Sequence, residues 1–281
     1  MRNNTAELEE LVDGTVNIPT IPTVLTEVTA ICNAADGSAR DAAKVIEKDA
    51  AIASRALRLV NGSLYGLKSP VANINLACSI LGLRVIKNLV VQATVLQAFG
   101  DTQSLAGFDA DWLWQHAFKT ATACRLLAED AHFAKGLPKD DAYTCGLIHD
   151  IGKLILLESS PDRFGQALQQ SATRGVPLAT AEHELFGFDH AQVGGLLANR
   201  WKLAPAVQEA VVNHHARPDD AEAFAQGLLV RMGNSIAHLA VDNSGGYHGD
   251  ICDAAALAGF GLAPERLQTI LAAARAANMA S

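Results

Sequence analysis

The sequence predicts an all-α fold, and three observations support this prediction. Ala and Leu are abundant, whereas aromatic residues make up only 5% of the chain. Apolar residues recur three and four positions apart, as in segments 42–46, 52–59 and 76–95, and this period is typical of the buried face of a helix. Runs that alternate apolar and polar residues, which would indicate strands, are absent from the sequence.

Two prolines mark the beginning of the predicted helical region. Residues that precede proline avoid helical backbone angles, so the proline-containing segment 17–23 is predicted to be extended. Thr23 then caps a helix that runs to about Cys32. Ser38 or Asp41 can open the next helix, because both side chains can accept a hydrogen bond from a backbone N–H of the first turn.

Later breaks divide the rest of the chain. Asn75 is predicted to start a long helix in which Gly82 marks a close contact or a bend. Segment 101–110 is polar and contains glycine, and it is the best candidate for a domain boundary. The sequence from Glu265 to Asn278 predicts a terminal amphipathic helix. Further loops are expected at 61–63, 69–70, 136–138, 174–177, 216–222 and 243–250.

The length of 281 residues allows one large domain or two small ones. From the breaks we expect an N-terminal helical arm at 1–16 and an N-terminal helical subdomain at 17–100. A second helical subdomain at 107–243 would carry the candidate site. A C-terminal helical extension would occupy 244–281.

The composition excludes several classes of protein. The net charge of −8 argues against a non-specific nucleic-acid surface, which would be basic. The acidic N-terminus does not resemble a signal peptide, and no window reaches the ~18 uninterrupted apolar residues of a membrane span. The cysteines are odd in number and lie in apolar contexts, so they are expected to be reduced thiols of a cytoplasmic protein. They are Cys32, Cys78, Cys124, Cys145 and Cys252.

The most informative motif is the adjacent pair His149-Asp150, which lies in the run 145–154 between apolar residues. These neighbours predict a single buried helix. An imidazole nitrogen and a carboxylate oxygen can converge on one metal ion, and a buried ionisable pair is costly unless it is paired or bound to a metal. A single His-Asp dipeptide is a weak signal, so the prediction of a metal site depends on other ligands.

Four further histidines are candidate ligands, although each also has an ordinary explanation. His116 lies on the apolar face of a predicted helix, where a hydrogen-bonded core histidine is the more common case. His190 follows Asp189, which can cap a helix. His214 and His215 end an apolar helix, where the helix dipole favours histidine.

The candidate ligands together favour a metal site more strongly than any one of them does. They fall on or beside four predicted helices, and helical bundles build metal sites from side chains on facing helices. Lys153, one turn beyond His149, could contact a phosphate or pair with Asp150. The other histidines lie in polar or loop contexts and receive no role: His132, His183, His238 and His248.

These residues and several apolar motifs resemble those of the HDOD family. That family is a branch of the HD metal-dependent phosphohydrolase superfamily and is found in bacterial signalling proteins. The resemblance covers about residues 17–215. The matching segments are Ile18-Pro19 with Ile21-Pro22, 46–49 with 56–61, 77–82, 146–154, 187–190 with Val193-Gly194, and Trp201 with Pro205.

The resemblance implies a set of metal ligands with one departure. His116, His149 and Asp150 match the helix histidine and the His-Asp pair of the HD superfamily, but the final Asp of that pattern is best matched by Asn234. Asn234 is therefore only a weak candidate ligand. The related HD-GYP phosphodiesterases also use a lysine and later histidines, and the residues that fit are Lys153, His190, His214 and His215. Their glycine-tyrosine-proline signature is missing, because Ala-Arg-Pro-Asp follows the histidine pair.

The HDOD family is generally regarded as non-catalytic and as acting in signal transduction and regulation. The resemblance thus implies a cytoplasmic bacterial signalling module that binds a divalent metal but is catalytically weak or inactive. The alternative is a metal-dependent phosphohydrolase of cyclic dinucleotides or nucleotides, with Asp150 and Lys153 in catalytic roles. Ligation by several histidines and one carboxylate suits iron, nickel, zinc or manganese. The expected partner is a signalling protein or a small molecule.

Overall fold

A computed structural model describes residues 7–8, 23–62, 65, 67–215, 225–241 and 254–277. These residues form α-helices and no β-strand, apart from one isolated bridge between Leu105 and Phe108, which confirms the predicted all-α class. The helices are α1 (Thr23–Asn33), α2 (Ala39–Ile46), α3 (Ala50–Asn61), α4 (Ile74–Phe99), α5 (Ala110–Leu127), α6 (Ala131–Ala134), α7 (Lys139–Ile148), α8 (Ile151–Ser159), α9 (Pro161–Arg174), α10 (Leu178–Phe186), α11 (His190–Arg200), α12 (Pro205–Val212), α13 (Ala225–Ala240), α14 (Ala254–Gly259) and α15 (Pro264–Ala276).

Several sequence predictions fall outside the described residues. They are the helical arm at 1–16 apart from residues 7–8, residues 17–22 of the extended segment, the loops at 216–222 and 243–250, residues 244–253 and 278–281 of the C-terminal extension, His248 and Cys252. The four cysteines within the described part of the chain are free thiols.

The described residues divide into two compact units between Asp101 and Thr102. In the N-terminal unit, α1, α2 and α3 each pack against α4. The shared interior includes Leu25, Ile46 and Ile52, all of which are buried. Burial of such aliphatic side chains is the main source of stability for a helical unit of this size.

The helix starts in this unit follow local capping chemistry. Thr23, which the sequence predicts as the cap, is instead the first residue of α1, and the Ser38 side chain accepts a hydrogen bond from the backbone N–H of Asp41 at the start of α2. The long helix α4 is capped by Asn73, whose side chain accepts from the backbone N–H of Leu76. It therefore starts slightly before Asn75, the residue from which the sequence predicts it.

Helix α4 contains a bend at Gly82, one of the two roles predicted for that residue. Gly82 has φ 78° and ψ 165°, so the backbone leaves the helical region there. Among the described helices, α4 is the one that is long and apolar enough to cross a membrane by length and composition. The core helix of a soluble protein passes the same test, and much of α4 beyond Gly82 is buried, as for Leu89, Val90 and Phe99.

In the C-terminal unit, α5 is the central helix. It packs against α7, α13 and α15, while α11 packs against both α8 and α12. These helices carry or adjoin every histidine that the sequence predicts as a ligand. The architecture therefore brings residues that are distant in sequence to one region of this unit.

Two glycines allow the close helix packing on which this arrangement depends. A Cβ atom at Gly152 in α8 would collide with the backbone carbonyl of His190 at the start of α11. A Cβ atom at Gly146 in α7 would lie 2.7 Å from the Cα of Ala121 in α5, closer than side chains tolerate. Only glycine fits at either position without a shift of the neighbouring helix.

The last described helix, α15, is tied to α5 by two cationic side chains. The Lys119 ammonium on α5 donates to the carbonyls of Ala274, Arg275 and Ala277, at 3.3, 3.4 and 3.0 Å. These carbonyls lie at the C-terminal end of α15, where a cation is favourable. In return, the Arg266 guanidinium on α15 donates to the carbonyl of Leu126 at 2.7 Å.

Candidate metal centre

The pair His149-Asp150 lies at a junction between two helices. Helix α7 ends at Ile148 and α8 begins at Ile151, so the prediction of one continuous buried helix through this pair is wrong. Asp150 occupies the N-cap position of α8 with φ −96° and ψ 7°, but its side chain makes no capping hydrogen bond. The carboxylate is directed instead to other side chains, and it is only 4% exposed.

Asp150 is at the centre of the cluster. Its Oδ2 accepts a hydrogen bond from Lys153 Nζ at 2.6 Å and lies 3.3 Å from His149 Nε2. Its Oδ1 lies 3.3 Å from His190 Nε2 and 3.6 Å from His214 Nε2. The two oxygens of one carboxylate therefore face different histidines.

The ring orientations of the histidines are set by bonds on their outer nitrogens. His149 Nδ1 donates to the carbonyl of Gly146 at 2.8 Å, and His214 Nδ1 donates to the carbonyl of Val211 at 2.7 Å. In both rings the Nε2 atom is left buried without a hydrogen-bond partner. A neutral imidazole that donates through one nitrogen presents a lone pair on the other, which is the arrangement that a metal ligand needs.

His190 and His215 face each other through their Nε2 atoms, which are 2.9 Å apart. The outer nitrogen of His190, Nδ1, lies 2.5 Å from the Glu182 carboxylate, and its backbone N–H donates to the same oxygen at 2.9 Å. The start of α11 that carries His190 is fixed by a capping box between Asp189 and Gln192. This confirms the N-cap predicted at Asp189.

His116 lies on α5 and belongs to the part of the cluster around His149. Its ring stacks on Trp112 with centroids 5.1 Å apart, and its Nε2 lies 3.3 Å from Thr120 Oγ1. Its Nδ1 is buried without a hydrogen-bond partner. The ring centroid of His149 is 5.5 Å away.

The ligand atoms of the predicted residues form two sets within the described part of the chain. One set is His116, His149 and Asp150, and the other is His190, His214 and His215. Within each set the candidate ligand atoms lie within 4.8 Å of one another. Together with the buried nitrogens that lack a partner, these distances fit a metal ion at either set.

Asn234, the weak candidate ligand, carries an amide rather than a carboxylate. It lies on α13, and its side-chain Oδ1 is buried without a hydrogen-bond partner. Four residues further along the same helix, His238 places its ring centroid 4.4 Å from that of His116. The sequence analysis assigned no role to His238, although its spacing from Asn234 puts both on one face of a helix and could have indicated it.

Glu182 is the other residue of the cluster that the sequence analysis did not identify. It lies on α10, it is fully buried, and it contacts the predicted ligand His190. Its surroundings in the sequence are those of an ordinary helix, with the exposed His183 and Glu184 beside it. No local pattern therefore distinguishes it.

The protonation of the cluster follows from burial and from neighbouring charges. Burial, together with neighbouring imidazoles, lowers the pKa of His116, His214 and His215 well below the usual range. These rings are neutral at pH 7 and have lone pairs available for a metal.

Two groups are held in charged form. Burial acts to raise the pKa of Asp150, but His149 and Lys153 outweigh it and hold that pKa well below its usual value. Burial opposes protonation of His190, but Glu182 and Asp150 outweigh it and raise the pKa to about 9. A metal at His190 would therefore have to displace a proton.

Comparison with known families and curated proteins gives two findings. The HDOD domain family model matches residues 18–217. An uncharacterized protein of Treponema pallidum (strain Nichols) is 27% identical over an alignment of 225 residues that covers 76% of this chain. The match covers 40% of that relative, so this chain spans well under two thirds of its length.

Three solved structures share the fold. An HDOD domain protein of unknown function from Geobacter sulfurreducens has a TM-score of 0.73 at 22% identity, over 98% of this chain and 90% of that one. A Shewanella amazonensis SB2B protein, provisionally named a phosphohydrolase, has a TM-score of 0.69 at 23% identity, over 96% and 98%. A Marinobacter aquaeolei VT8 protein, provisionally named a signal transduction protein, has a TM-score of 0.71 at 19% identity, over 96% and 62%.

Proposed function

Because the chain belongs to the HDOD domain family, we propose that it is a bacterial signalling module that binds a divalent metal and hydrolyses phosphodiesters weakly or not at all. The observation that carries this proposal is the composition of the cluster. The two candidate ligand sets contain five buried or half-buried histidines and one carboxylate, Asp150, and an amide, Asn234, stands where the HD pattern has a second carboxylate.

Metal binding is supported by the nitrogens that face the interior of the cluster. The Nε2 atoms of His149 and His214 and the Nδ1 atom of His116 are buried without hydrogen-bond partners. Leaving buried polar atoms unpaired costs about 1–3 kcal/mol each. A bound ion would satisfy these atoms, and the donor set of nitrogen with one carboxylate suits iron, nickel, zinc or manganese.

Weak catalysis is supported by the small negative charge of the donor set. A metal ion in such a centre would polarise a phosphoryl oxygen and lower the pKa of a bound water. Two-metal phosphohydrolysis also requires two ions to be held close together, which carboxylates favour because they offset the ions' repulsion. Asn234 is neutral and cannot supply that charge.

The alternative is a metal-dependent phosphohydrolase of cyclic dinucleotides or nucleotides. The observation that favours it is the position of Lys153, whose ammonium lies 2.6 Å from Asp150 Oδ2 at the edge of the cluster. A lysine placed there could stabilise charge on a phosphate, with Asp150 as the catalytic carboxylate. The same lysine also has a structural explanation, because it compensates the buried charge of Asp150.

The first experiment is metal analysis of protein purified without a histidine tag. We expect a substantial fraction of one equivalent of metal in the wild-type chain and its loss in His149→Ala. His132→Ala is the matched control, because His132 lies in the same unit but is exposed. A content below about a tenth of an equivalent, unchanged by His149→Ala, would contradict metal binding.

The second experiment separates the two functions. The purified protein is incubated with Mn²⁺ and either cyclic di-GMP or an aryl phosphodiester. We expect little or no turnover, and we expect Asn234→Asp to raise it because the substitution restores a carboxylate. Robust turnover by the wild-type chain would favour the phosphohydrolase.

The proposed partner is a signalling protein or a small molecule, and the proposed location is the cytoplasm. The buried face of α4, which packs against α1, α2 and α3, supports a role for that helix inside the N-terminal unit. Cell fractionation followed by cross-linking in the native host would test both proposals, and recovery in the membrane fraction would contradict the second.

A further inference from the structure

We propose that Glu182 is a positioning residue that holds the His190 ring with its Nε2 atom directed into the cluster. One carboxylate oxygen of Glu182 accepts two hydrogen bonds from His190, one from the backbone N–H at 2.9 Å and one from Nδ1 at 2.5 Å. This inference rests on the proposed metal binding, and it assigns a role to a residue outside both sets of candidate ligands.

The two hydrogen bonds determine which ring nitrogen is available. A carboxylate oxygen can only accept, so Nδ1 of His190 must carry a hydrogen. When a metal displaces the second proton of the ring, that proton therefore leaves from Nε2, which then bears the lone pair. That atom lies 2.9 Å from His215 Nε2 and 3.3 Å from Asp150 Oδ1, which is the interior of the cluster.

The backbone also contributes to fixing the position of the His190 ring. Glu182 lies on α10 and His190 begins α11, and Gly187 closes α10 with a left-handed φ of 78°. The capping box of Asp189 and Gln192 then sets the direction of the first turn of α11. Because Glu182 also accepts the first N–H of α11, the same carboxylate orients both the helix start and the ring.

A fully buried carboxylate is costly unless it is paired, so its presence at 182 requires an explanation. Glu182 is 0% exposed, and an apolar side chain would fill this buried position at a lower free-energy cost. Carboxylates that accept from the outer nitrogen of a histidine ligand fix its tautomer and raise its basicity, and their loss typically lowers metal affinity about 10–100-fold. Glu182 occupies this place relative to His190.

The test compares Co²⁺ binding to the metal-free wild-type chain, Glu182→Leu and Glu182→Gln, followed by visible absorption. Leu removes the acceptor, whereas Gln keeps an acceptor oxygen but removes the charge. We expect a 10–100-fold loss of affinity for Leu and a smaller loss, about 3–10-fold, for Gln. The matched control is Glu158→Gln, because Glu158 is a half-buried carboxylate of the same unit that bonds to Thr102 and should leave affinity unchanged.

A second measurement does not depend on metal. In histidine-labelled, metal-free protein, the Nδ1 proton of His190 should give a protected low-field NMR signal, assigned by its absence in His190→Gln. We expect Glu182→Leu to abolish that signal and Glu158→Gln to retain it. Circular dichroism and thermal unfolding establish that each variant is folded, and if Glu182→Leu does not fold, the Glu182→Gln affinity decides.

The outcomes separate this inference from the proposed function. Unchanged Co²⁺ affinity in both Glu182 variants, or an unchanged His190 signal in a folded Glu182→Leu, would overturn the positioning role. If the wild-type chain does not bind Co²⁺, the proposed function fails, and the His190 signal alone then supports or overturns the positioning of the ring.

Discussion

At the residue scale, the cluster combines imidazoles that are held neutral with groups that are held charged. Burial lowers the pKa of His116, His214 and His215, while Asp150 remains ionised beside Lys153. The neutral rings can bind a metal directly. The same feature makes the metal-free protein sensitive to acid. At low pH these rings bind protons in the unfolded chain but not in the folded one, so acid favours unfolding.

The metal-free protein is therefore predicted to lose stability between pH 7.5 and pH 5.5. Below the ordinary histidine pKa of about 6.5, the unfolded chain binds protons at His116, His214 and His215 that the folded chain does not, so folding weakens by up to about 1.4 kcal/mol per pH unit for each ring. His190 has the opposite sign. Its raised pKa of about 9 gives stability that is complete below pH ~6.5 and is lost as the pH rises through 9.

Urea unfolding of chelator-treated protein at the two pH values would measure this difference. His116→Gln should reduce it, because that variant removes one of the buried rings. Equal or greater stability at pH 5.5 in the wild-type chain would show that the rings are already protonated in the folded state.

At the element scale, the candidate metal centre depends on how closely α8 approaches α11. Gly152 lies against the carbonyl of His190, so this one small residue sets the distance between the helix after Asp150 and the helix that starts at His190. The distance between packed helices is usually set by large apolar side chains at their contact. Here the absence of a side chain brings Asp150 Oδ1 within 3.3 Å of His190 Nε2.

Gly152→Ala is predicted to weaken both stability and metal binding. The added methyl group would force α8 and α11 apart, and overpacking of this kind costs about 1–3 kcal/mol. The matched control is Gly165→Ala in α9, where the new Cβ would lie 3.5 Å from Leu105 Cδ2, an ordinary contact. There alanine should be neutral or stabilising by up to about 1 kcal/mol, because it favours the helix.

Thermal unfolding and metal titration of the two variants would test this prediction. If Gly152→Ala binds metal as tightly as Gly165→Ala, the separation of the two helices does not control the cluster.

At the scale of the whole molecule, the sequence predicted features that neighbouring residues determine, but it did not predict contacts between residues that are distant along the chain. Helical periodicity and the cap at Asp189 gave the fold class and the start of α11, since both depend on neighbouring residues. The junction at His149-Asp150 was missed because apolar residues continue on both sides and neither glycine nor proline marks the break. Glu182 was missed because its role arises only when the α10–α11 turn returns the chain to it.

Metal is predicted to stabilise the C-terminal unit by mass action. An ion that binds only the folded chain adds about 2.7 kcal/mol when its free concentration is 100 times the dissociation constant. For a unit of this size that corresponds to a rise in melting temperature of roughly 5–10 °C. Thermal unfolding with and without the ion, with His149→Ala as the comparison, would measure the shift. A similar rise in His149→Ala would place the binding elsewhere.

The contacts between α5 and α15 have a consequence for the order of folding. Lys119 reaches carbonyls up to 158 residues away along the chain, and Arg266 reaches a carbonyl 140 residues away. Contacts between such distant segments form slowly, because a long loop must close first. During synthesis, α5, which carries His116, cannot make these contacts until α15 has emerged from the ribosome. The C-terminal unit is therefore expected to reach its final packing only once α15 has been synthesised, and its histidines would meet cellular metal after that point.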